Sequence, residues 1–183
     1  MDVLTAINSR ASAIKLAEPG PTRAQLDTIL KAGIRAPDHG RLSPWRFVIL
    51  EGEKRKILAD AMSAMRKRLS PEVSDEDAQK EGLKALRAPT IVAVAVHTAP
   101  PGKIPEIERI VAVGAAMENM ILAAHALGLG TMWKTGQAAY DPEVKKTIGL
   151  APEDHVIGFL YLGTAQTPGV PRESKLDGCV IRL

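Results

Sequence analysis

The sequence predicts an α+β fold with one domain across residues 1–183. Segments with helical spacing alternate with apolar, strand-like runs, but not in the strict βαβ order of a doubly wound parallel sheet. Neither an internal repeat nor a linker divides the chain, and 183 residues are enough to bury a core. Because aromatic residues make up only 3% of the sequence, we expect that core to consist of Ala, Val, Leu and Ile.

The first part of the chain contains clear helix-start signals. Residues 2–9 are predicted to form a short helix with Asp2 as its N-cap. A basic segment of small residues, 10–15, follows this helix. The next helix begins at a capping box, in which Thr22 supplies the cap and Gln25 the return contact.

Proline and apolar runs divide the next part of the chain. The second helix ends at Pro37, because proline cannot continue the backbone hydrogen bonding of a helix. Residues 45–50 are predicted to form a strand, and residues 53–69 an amphipathic helix rich in Lys and Arg. The polar section 70–80 is predicted to be a mobile loop, followed by a helix that ends near residue 87.

The middle of the chain contains the most apolar segments. Residues 90–96 form a continuous apolar run that predicts a buried strand. A loop is predicted at 99–105. Residues 107–127 are rich in alanine and apolar almost all round, which is typical of a helix buried at the centre of a protein or across a subunit interface.

The last part of the chain alternates short elements. Residues 128–136 are predicted to lead into a short strand, and a helix begins where Asp141 precedes a proline. Residues 155–162 are predicted to form a last buried strand that Gly163 stops. The tail from Pro168 is predicted to be extended.

Charge and hydropathy exclude several classes of protein. The net charge of +3 comes from scattered basic residues rather than from a basic stripe with interleaved aromatics, so we expect no nucleic-acid partner. No run approaches the ~20 apolar residues of a membrane span, and residues 1–10 lack the pattern of a signal peptide, which predicts a cytoplasmic protein without a membrane partner. Cys179 is the single cysteine and cannot form an internal disulfide.

Motif searches exclude several kinds of active site. The histidines form neither an HxH nor an HExxH arrangement, so no metal site is predicted. A GxSxG nucleophile elbow and a Walker phosphate loop are both missing from the sequence. The segment Gly128-Leu-Gly130 lacks the third glycine of a dinucleotide fingerprint and precedes a strand, which argues against a Rossmann site.

Several side chains suited to binding phosphate remain. Arg and Ser offer hydrogen-bond donors that match phosphate oxygens, and flexible loops between rigid elements often hold such groups. Together with the segment Trp133-Lys134-Thr135-Gly136, they suggest a phosphorylated aromatic cofactor. The candidates that follow the first helix or lie between the second helix and the next strand are Arg10, Ser12, Arg35, His39 and Arg41.

In its motifs the sequence resembles the nitroreductase family of FMN-dependent oxidoreductases, and most closely its compact members. The resemblance covers nearly the whole chain, and the order and spacing of the motifs carry it. The matching segments are Arg10-Ala-Ser12, Arg35-Ala-Pro-Asp-His39, Ser43-Pro-Trp45, Leu127-Gly-Leu-Gly130-Thr-Met-Trp133 and Val156-Ile-Gly158-Phe-Leu-Tyr-Leu-Gly163.

The resemblance implies a fold, an activity and an assembly. The fold is a central, mostly antiparallel sheet flanked by helices, in a homodimer built around the long central helix. The activity is the reduction of nitroaromatic, quinone or similar acceptors by NADH or NADPH through tightly bound FMN, in a ping-pong mechanism. The flavin carries the chemistry, so no catalytic acid or base is assigned.

The resemblance also implies two groups of FMN contacts in one subunit. Arg10, Ala11 and Ser12 match the opening motif that contacts the phosphate and ribityl chain, although many members have a second arginine where this chain has Ala11. Trp133, Lys134 and Thr135 match the strand beside the isoalloxazine ring.

A third group of contacts is implied to cross the dimer interface. Arg35 and His39 match positions that reach the FMN held mainly by the other subunit. Within the ring-side group, Lys134 is the candidate for stabilising the reduced, anionic flavin.

Two other interpretations stay open at this point. One is a non-enzymatic flavin-binding sensor or FMN carrier, and the other is a structural α+β protein with scattered surface arginines. Flavin colour in the purified protein would exclude the structural protein, and bleaching of that colour by NAD(P)H would exclude the carrier.

Overall fold

An antiparallel sheet forms the centre of the protein. The computed structural model describes residues 1–98 and 103–183, so part of the predicted loop at 99–105 lies outside the described residues. Among the described residues five strands pair in the order β1-β5-β3-β2, with β4 on β5 as well, and each pairing is antiparallel. The strands are β1 (Lys15–Ala17), β2 (Trp45–Glu51), β3 (Thr90–Val96), β4 (Gly130–Lys134) and β5 (His155–Thr167).

Helices cover both faces of this sheet, which confirms the predicted α+β class. The helices are α1 (Val3–Ser9), α2 (Arg23–Gly33), α3 (Lys54–Leu69), α4 (Asp75–Leu83), α5 (Glu106–Ala126), α6 (Gln137–Tyr140) and α7 (Pro142–Thr147). Short 3-10 turns lie at His39–Arg41 and Lys84–Leu86. None of the helices in residues 1–98 and 103–183 is both long and apolar enough to cross a membrane.

Alternate residues of the central strand β3 build two core layers. Ile91 and Ala93 pack against α3, α6 and α7, while Val92 and Val94 pack against α2 and α5. Successive side chains of a strand point to opposite faces, so a strand covered on both sides must be apolar throughout. All seven residues of β3 are buried, as predicted from the sequence.

The predicted helix starts are confirmed by their hydrogen bonds. The Asp2 carboxylate accepts from the backbone N–H groups of Leu4 and Thr5 at 3.1 and 3.0 Å. The capping box is complete: Thr22 accepts from the Gln25 N–H at 3.2 Å, and the Gln25 side chain accepts from the Thr22 N–H at 2.9 Å. These bonds satisfy backbone donors that a helix leaves without partners in its first turn.

The predicted end of the last strand was wrong. Strand β5 does not stop at Gly163 but continues to Thr167, where its second part pairs with β1. A Cβ atom at Gly163 would lie 2.8 Å from the carbonyl oxygen of Ala17. The glycine therefore permits a close approach between strands, which is a common reason for glycine inside a strand.

Other boundaries also differ from the sequence predictions. Helix α4 begins inside the section predicted as a mobile loop, because Ser74 caps it by accepting from the Asp77 N–H at 3.0 Å. Strand β4 lies within residues 128–136 rather than after them. Strand β1 and the short helix α6 had no counterpart in the predictions.

Candidate functional site

A cleft of about 570 Å³ lies where the segment after α1 meets the C-terminal tail. Two arginines and two serines give it donors for an anionic group, and phosphate is the anion that arginine's planar donors bind well. The cleft is lined on one side by Ile7, Asn8, Arg10, Ala11, Ser12 and Ile14, and on the other by Gly169, Val170, Arg172 and Ser174.

Backbone contacts hold the first wall of this cleft in place. Arg10 ends α1, with its N–H donating to the Ala6 carbonyl at 3.1 Å. Three residues on, the Ala13 N–H donates to the carbonyl of Thr131 in β4 at 2.8 Å. The predicted phosphate contacts Arg10, Ala11 and Ser12 therefore lie between a helix end and a sheet strand, and all three line one cleft.

The second wall of the cleft was missed by the sequence analysis. The tail was predicted only to be extended, yet Arg172 and Ser174 line the same cleft as Arg10 and Ser12. The tail packs directly on the first wall, since a Cβ atom at Gly169 would lie 2.1 Å from the Ser12 carbonyl oxygen. The Arg-x-Ser spacing of residues 10–12 recurs at residues 172–174, and that repetition was the available signal.

Strand β4 extends the site from the cleft along the edge of the sheet. In the described part of the chain it pairs with β5, and the Thr131 carbonyl is directed away from β5 to Ala13. Backbone groups of alternate residues in an antiparallel strand point the same way, so those of Trp133 also face this outer edge. Trp133 follows Thr131 by two residues, about 7 Å along the strand.

The side chains at the end of β4 differ in their contacts and in their exposure. The Trp133 indole N–H donates to the Ile157 carbonyl at 3.1 Å, and the residue as a whole is 38% exposed. Lys134 and Thr135 are exposed. The structure thus places Trp133 and Lys134 at the end of β4, the strand that contacts Ala13 beside the cleft, and Thr135 directly after that strand.

Arg35 and His39 lie elsewhere in the same chain. Arg35 is exposed just after α2, and His39 forms a short contact through Nδ1 with Glu108 in the first turn of α5. Arg10 instead pairs with Glu118, ten residues farther along that helix, or about 15 Å. Within one chain, His39 is therefore not brought to the cleft, and Arg35 does not line it.

The loop that carries His39 has an unusual backbone. Gly40, Arg41 and Ser43 have positive φ angles of 72°, 54° and 50°. The Asp38 carboxylate holds this conformation by accepting from the Ser43 N–H at 2.6 Å. Non-glycine residues with positive φ cost free energy and cluster at functional sites. The backbone of this loop therefore marks it as a candidate functional segment.

An apolar groove of about 540 Å³ runs between this loop and α5. Its helix side includes Ile107 and Val111, whose exposed fractions are 60% and 63%. Large apolar side chains in a contiguous exposed surface are typical of protein interaction sites. The exposed face of α5 is thus suited to contact another protein surface.

Two buried groups of the scaffold, Tyr161 and Asp141, have shifted pKa values. Burial raises the pKa of Tyr161 in β5 to about 12. Burial would also raise the pKa of Asp141, the N-cap of α7, but hydrogen bonds from the Val144 N–H and the Arg68 guanidinium lower it below its ordinary value. Among the described residues, no group of three or more His, Cys, Asp or Glu is placed to hold a metal ion.

Comparison with known proteins decides the family. The model of the nitroreductase family matches residues 8–164, which is most of the chain. The chain belongs to the nitroreductase family. The resemblance of its motifs is thereby confirmed, and the match begins just before the cleft residues at 10–12 and includes β4 and most of β5.

Relatives of this nitroreductase match over nearly its full length. YdjA of Escherichia coli (strain K12), provisionally named an NAD(P)H nitroreductase, is 37% identical over 91% of this chain and 90% of its own. A nitroreductase-like family protein from Bacillus cereus is 25% identical, with a TM-score of 0.85 over 100% of this chain and 96% of that one. A Bacteroides fragilis nitroreductase with bound FMN has a TM-score of 0.74 at 23% identity, over 100% and 98% of the chains.

Proposed function

We propose that this nitroreductase binds FMN and uses NADH or NADPH to reduce nitroaromatic, quinone or similar acceptors. The observation that carries the proposal is the cleft in which Arg10, Ser12, Arg172 and Ser174 converge beside the outer edge of β4. This combination suits a ligand with an anionic end and a flat, hydrogen-bonding end. The name of YdjA and the FMN in the Bacteroides fragilis structure support the same cofactors.

The phosphate end of FMN fits the cleft. Arg10 and Arg172 would supply charge-assisted hydrogen bonds, and Ser12 and Ser174 would add hydroxyl donors. Ala11 lies between Arg10 and Ser12 and offers a backbone N–H but no charge. The second arginine that many family members have in this segment is thus replaced by Arg172, which approaches from the tail.

The ring end fits the edge of β4. The backbone N–H and C=O of Trp133 face that edge, where they match the alternating donors and acceptors of an isoalloxazine ring. Lys134 is exposed in the adjoining position, and its positive charge would favour a reduced, anionic ring. Thr135 adds a hydroxyl at the end of the strand.

The redox chemistry, which is hydride acceptance from the nicotinamide and electron donation to the acceptor, would be supplied by bound FMN. The protein's own contribution is to bind and orient, with Lys134 as the group that adjusts the ring's charge. We expect the nicotinamide and the acceptor to occupy the same face in turn. The first product then leaves before the second substrate binds, which gives ping-pong kinetics.

We further propose that the active form is a homodimer with FMN at its interface. The apolar face of α5 at Ile107 and Val111 supplies the surface for a second copy. Neither Arg35 nor His39 lines the cleft of its own chain, and His39 contacts α5 about 15 Å along the helix from the residue that pairs with Arg10, so both would act on the FMN of the other subunit. Closed, symmetric dimers are the commonest way for one surface to pair with itself.

Spectroscopy tests the proposed function directly. Purified protein, or protein titrated with FMN, is expected to show flavin absorption near ~450 nm that NADH or NADPH bleaches anaerobically and a quinone or nitroaromatic restores. Double-reciprocal plots of the rate against the nicotinamide concentration, measured at several acceptor concentrations, should be parallel. Failure to bind FMN would overturn the proposal, while bound FMN that neither nicotinamide bleaches would indicate an FMN carrier instead.

A further inference from the structure

The end of α1 is joined to α5 at two neighbouring residues. The Ser9 hydroxyl lies 2.8 Å from Nε2 of His125, in the last turn of α5. The Arg10 guanidinium pairs with Glu118 of the same helix. Glu118 and His125 are seven residues apart in the chain, so they lie on one face of α5 and about 10 Å apart along it. This face of α5 therefore holds the segment that leads into the cleft.

The direction of the bond between Ser9 and His125 follows from a second partner of the hydroxyl. The Ser9 hydroxyl also contacts the Thr5 carbonyl at 2.7 Å. A carbonyl oxygen can only accept, so the single hydroxyl hydrogen is directed to Thr5. The Ser9 oxygen therefore accepts from His125, whose Nε2 carries a proton. The imidazole thus donates a hydrogen bond to the end of α1.

Helix α1 depends on such polar contacts because it buries little apolar surface. It has seven residues, and isolated helices shorter than about 12–15 residues are marginal in water. The structure describes all seven, and Ala6 alone is buried among them, while Val3 and Leu4 are 65% and 66% exposed. The bond from His125 therefore carries a large share of the docking of α1 on α5.

This bond lies immediately before the residues that line the cleft. The backbone leaves the helix at Arg10, whose angles are φ −63° and ψ 131°, and Ala11 and Ser12 follow. The Ala13 N–H then donates to β4. Residues 10–12 are thus held at both ends, by α5 on the helix side and by the sheet on the other.

The imidazole of His125 lies behind this wall of the cleft. His125 lines a smaller cavity of about 330 Å³, which shares Ala11 and Gly169 with the cleft. Its Nε2 is directed to Ser9, the residue before Arg10. His125 is therefore placed to act on the position of the wall rather than to contact an anion in the cleft.

We propose that His125 is a positioning residue for the phosphate of FMN, acting through the Ser9 hydroxyl on Arg10 and Ser12. This inference rests on the proposed function, which places the phosphate in the cleft. It assigns a role to two residues that do not themselves contact the cofactor. Loss of the bond should weaken the contacts to the phosphate and leave those to the ring unchanged.

A comparison of FMN with riboflavin tests the inference, because riboflavin has the same ring and ribityl chain but no phosphate. Both Kd values are measured by titration of the flavin-free protein. Ser9→Ala and His125→Leu should each raise the Kd of FMN about threefold to tenfold, as expected for one hydrogen bond, and change that of riboflavin less than about twofold. The variant with both substitutions should bind FMN no more weakly than either single variant, since both remove the same bond.

His125→Gln is the rescue variant. The glutamine amide can donate to Ser9 in place of the imidazole, so the Kd of FMN should stay close to that of the unaltered protein. Thr147→Ala is the matched control for Ser9→Ala. The Thr147 hydroxyl also donates to the carbonyl four residues earlier at 2.7 Å, but it does so in α7, which packs on α3 and α6. Its loss should leave both Kd values unchanged.

Several results would overturn the positioning role. One is an unchanged Kd of FMN in Ser9→Ala. Another is equal weakening of FMN and riboflavin in Ser9→Ala and His125→Leu, because the bond would then support the fold in general. A third is a His125→Gln protein that binds FMN as weakly as His125→Leu. If His125→Leu does not fold, Ser9→Ala decides, since Ser9 is exposed. If riboflavin binds too weakly to measure, the rescue by His125→Gln decides.

The unaltered protein separates this inference from the proposed function. Equal Kd values for FMN and riboflavin would show that the phosphate is not held in the cleft, which overturns the inference but leaves a flavin-binding enzyme. Failure to bind FMN at all overturns the proposed function itself.

Discussion

The guanidinium of Arg10 lies 3.7 Å from the carboxylate of Glu118, Nε to Oε1, and joins the first wall of the cleft to α5. Both side chains are partly exposed, at 30% and 48%. Exposed ion pairs contribute about 0–1 kcal/mol because solvent screens them and because ordering long side chains costs entropy. The pair can therefore orient Arg10 without preventing it from binding an anion.

Arg10→Ala should weaken FMN binding strongly. A hydrogen bond to a charged group contributes about 1.5–3 kcal/mol, which corresponds to about a tenfold to hundredfold rise in Kd. Glu118→Gln removes only the exposed ion pair and should change Kd by less than about fivefold. Titration of FMN followed by absorbance measures both, and equal effects of the two variants would contradict the assignment of Arg10 to the phosphate.

Arg172→Ala tests the wall of the cleft that sequence analysis missed. We expect a loss of FMN affinity of the same order as for Arg10→Ala, and a weaker dependence of Kd on salt, because one charged contact is lost. Arg182→Ala is the matched control, as Arg182 is an exposed arginine of the same tail that does not line the cleft. Similar affinities for the two variants would show that Arg172 makes no such contact.

Local sequence signals predicted the parts of the molecule that local interactions determine. The caps at Asp2 and Thr22, and the apolar run at residues 90–96, specify α1, α2 and β3 through neighbours in sequence. Strand β1 could not be found this way, because three residues without alternation become a strand only by pairing with β5. Arg172 was missed for the same reason, since its place depends on contact between chain segments about 160 residues apart.

Val111→Glu should disrupt the proposed dimer. The side chain is exposed in one chain, so the substitution leaves folding intact, but it would bury a carboxylate in an apolar interface. Sedimentation velocity should then show a monomer, and FMN retention should fall. Leu69→Glu, at the exposed end of α3, adds the same charge away from α5 and should remain dimeric. A dimeric Val111→Glu protein would place the interface elsewhere.

Tyr161 should make the protein less stable in alkali. Burial raises its pKa from 10.0 to about 12, so the unfolded chain releases the phenolic proton first, and stability falls as pH rises from about 10 to 12. The loss from this residue approaches about 2–3 kcal/mol at the upper end. Urea unfolding at pH 8 and pH 11 should show a smaller decrease for Tyr161→Phe than for the unaltered protein. Equal decreases would contradict the role of burial.

The pairing of β1 with β5 also has a consequence for folding during synthesis, because the cleft cannot form before both segments are present. Residues 15–17 of β1 pair with residues 164–167, so this part of the sheet has very long sequence separation, and such contacts form late in folding. A ribosome-bound chain that ends before residue 169 has α1 and Arg10 but no second wall. The two walls can therefore face each other only after residues 169–174 have been synthesised and have packed on residues 10–12, and in the proposed function FMN would be held between both arginines only from then on.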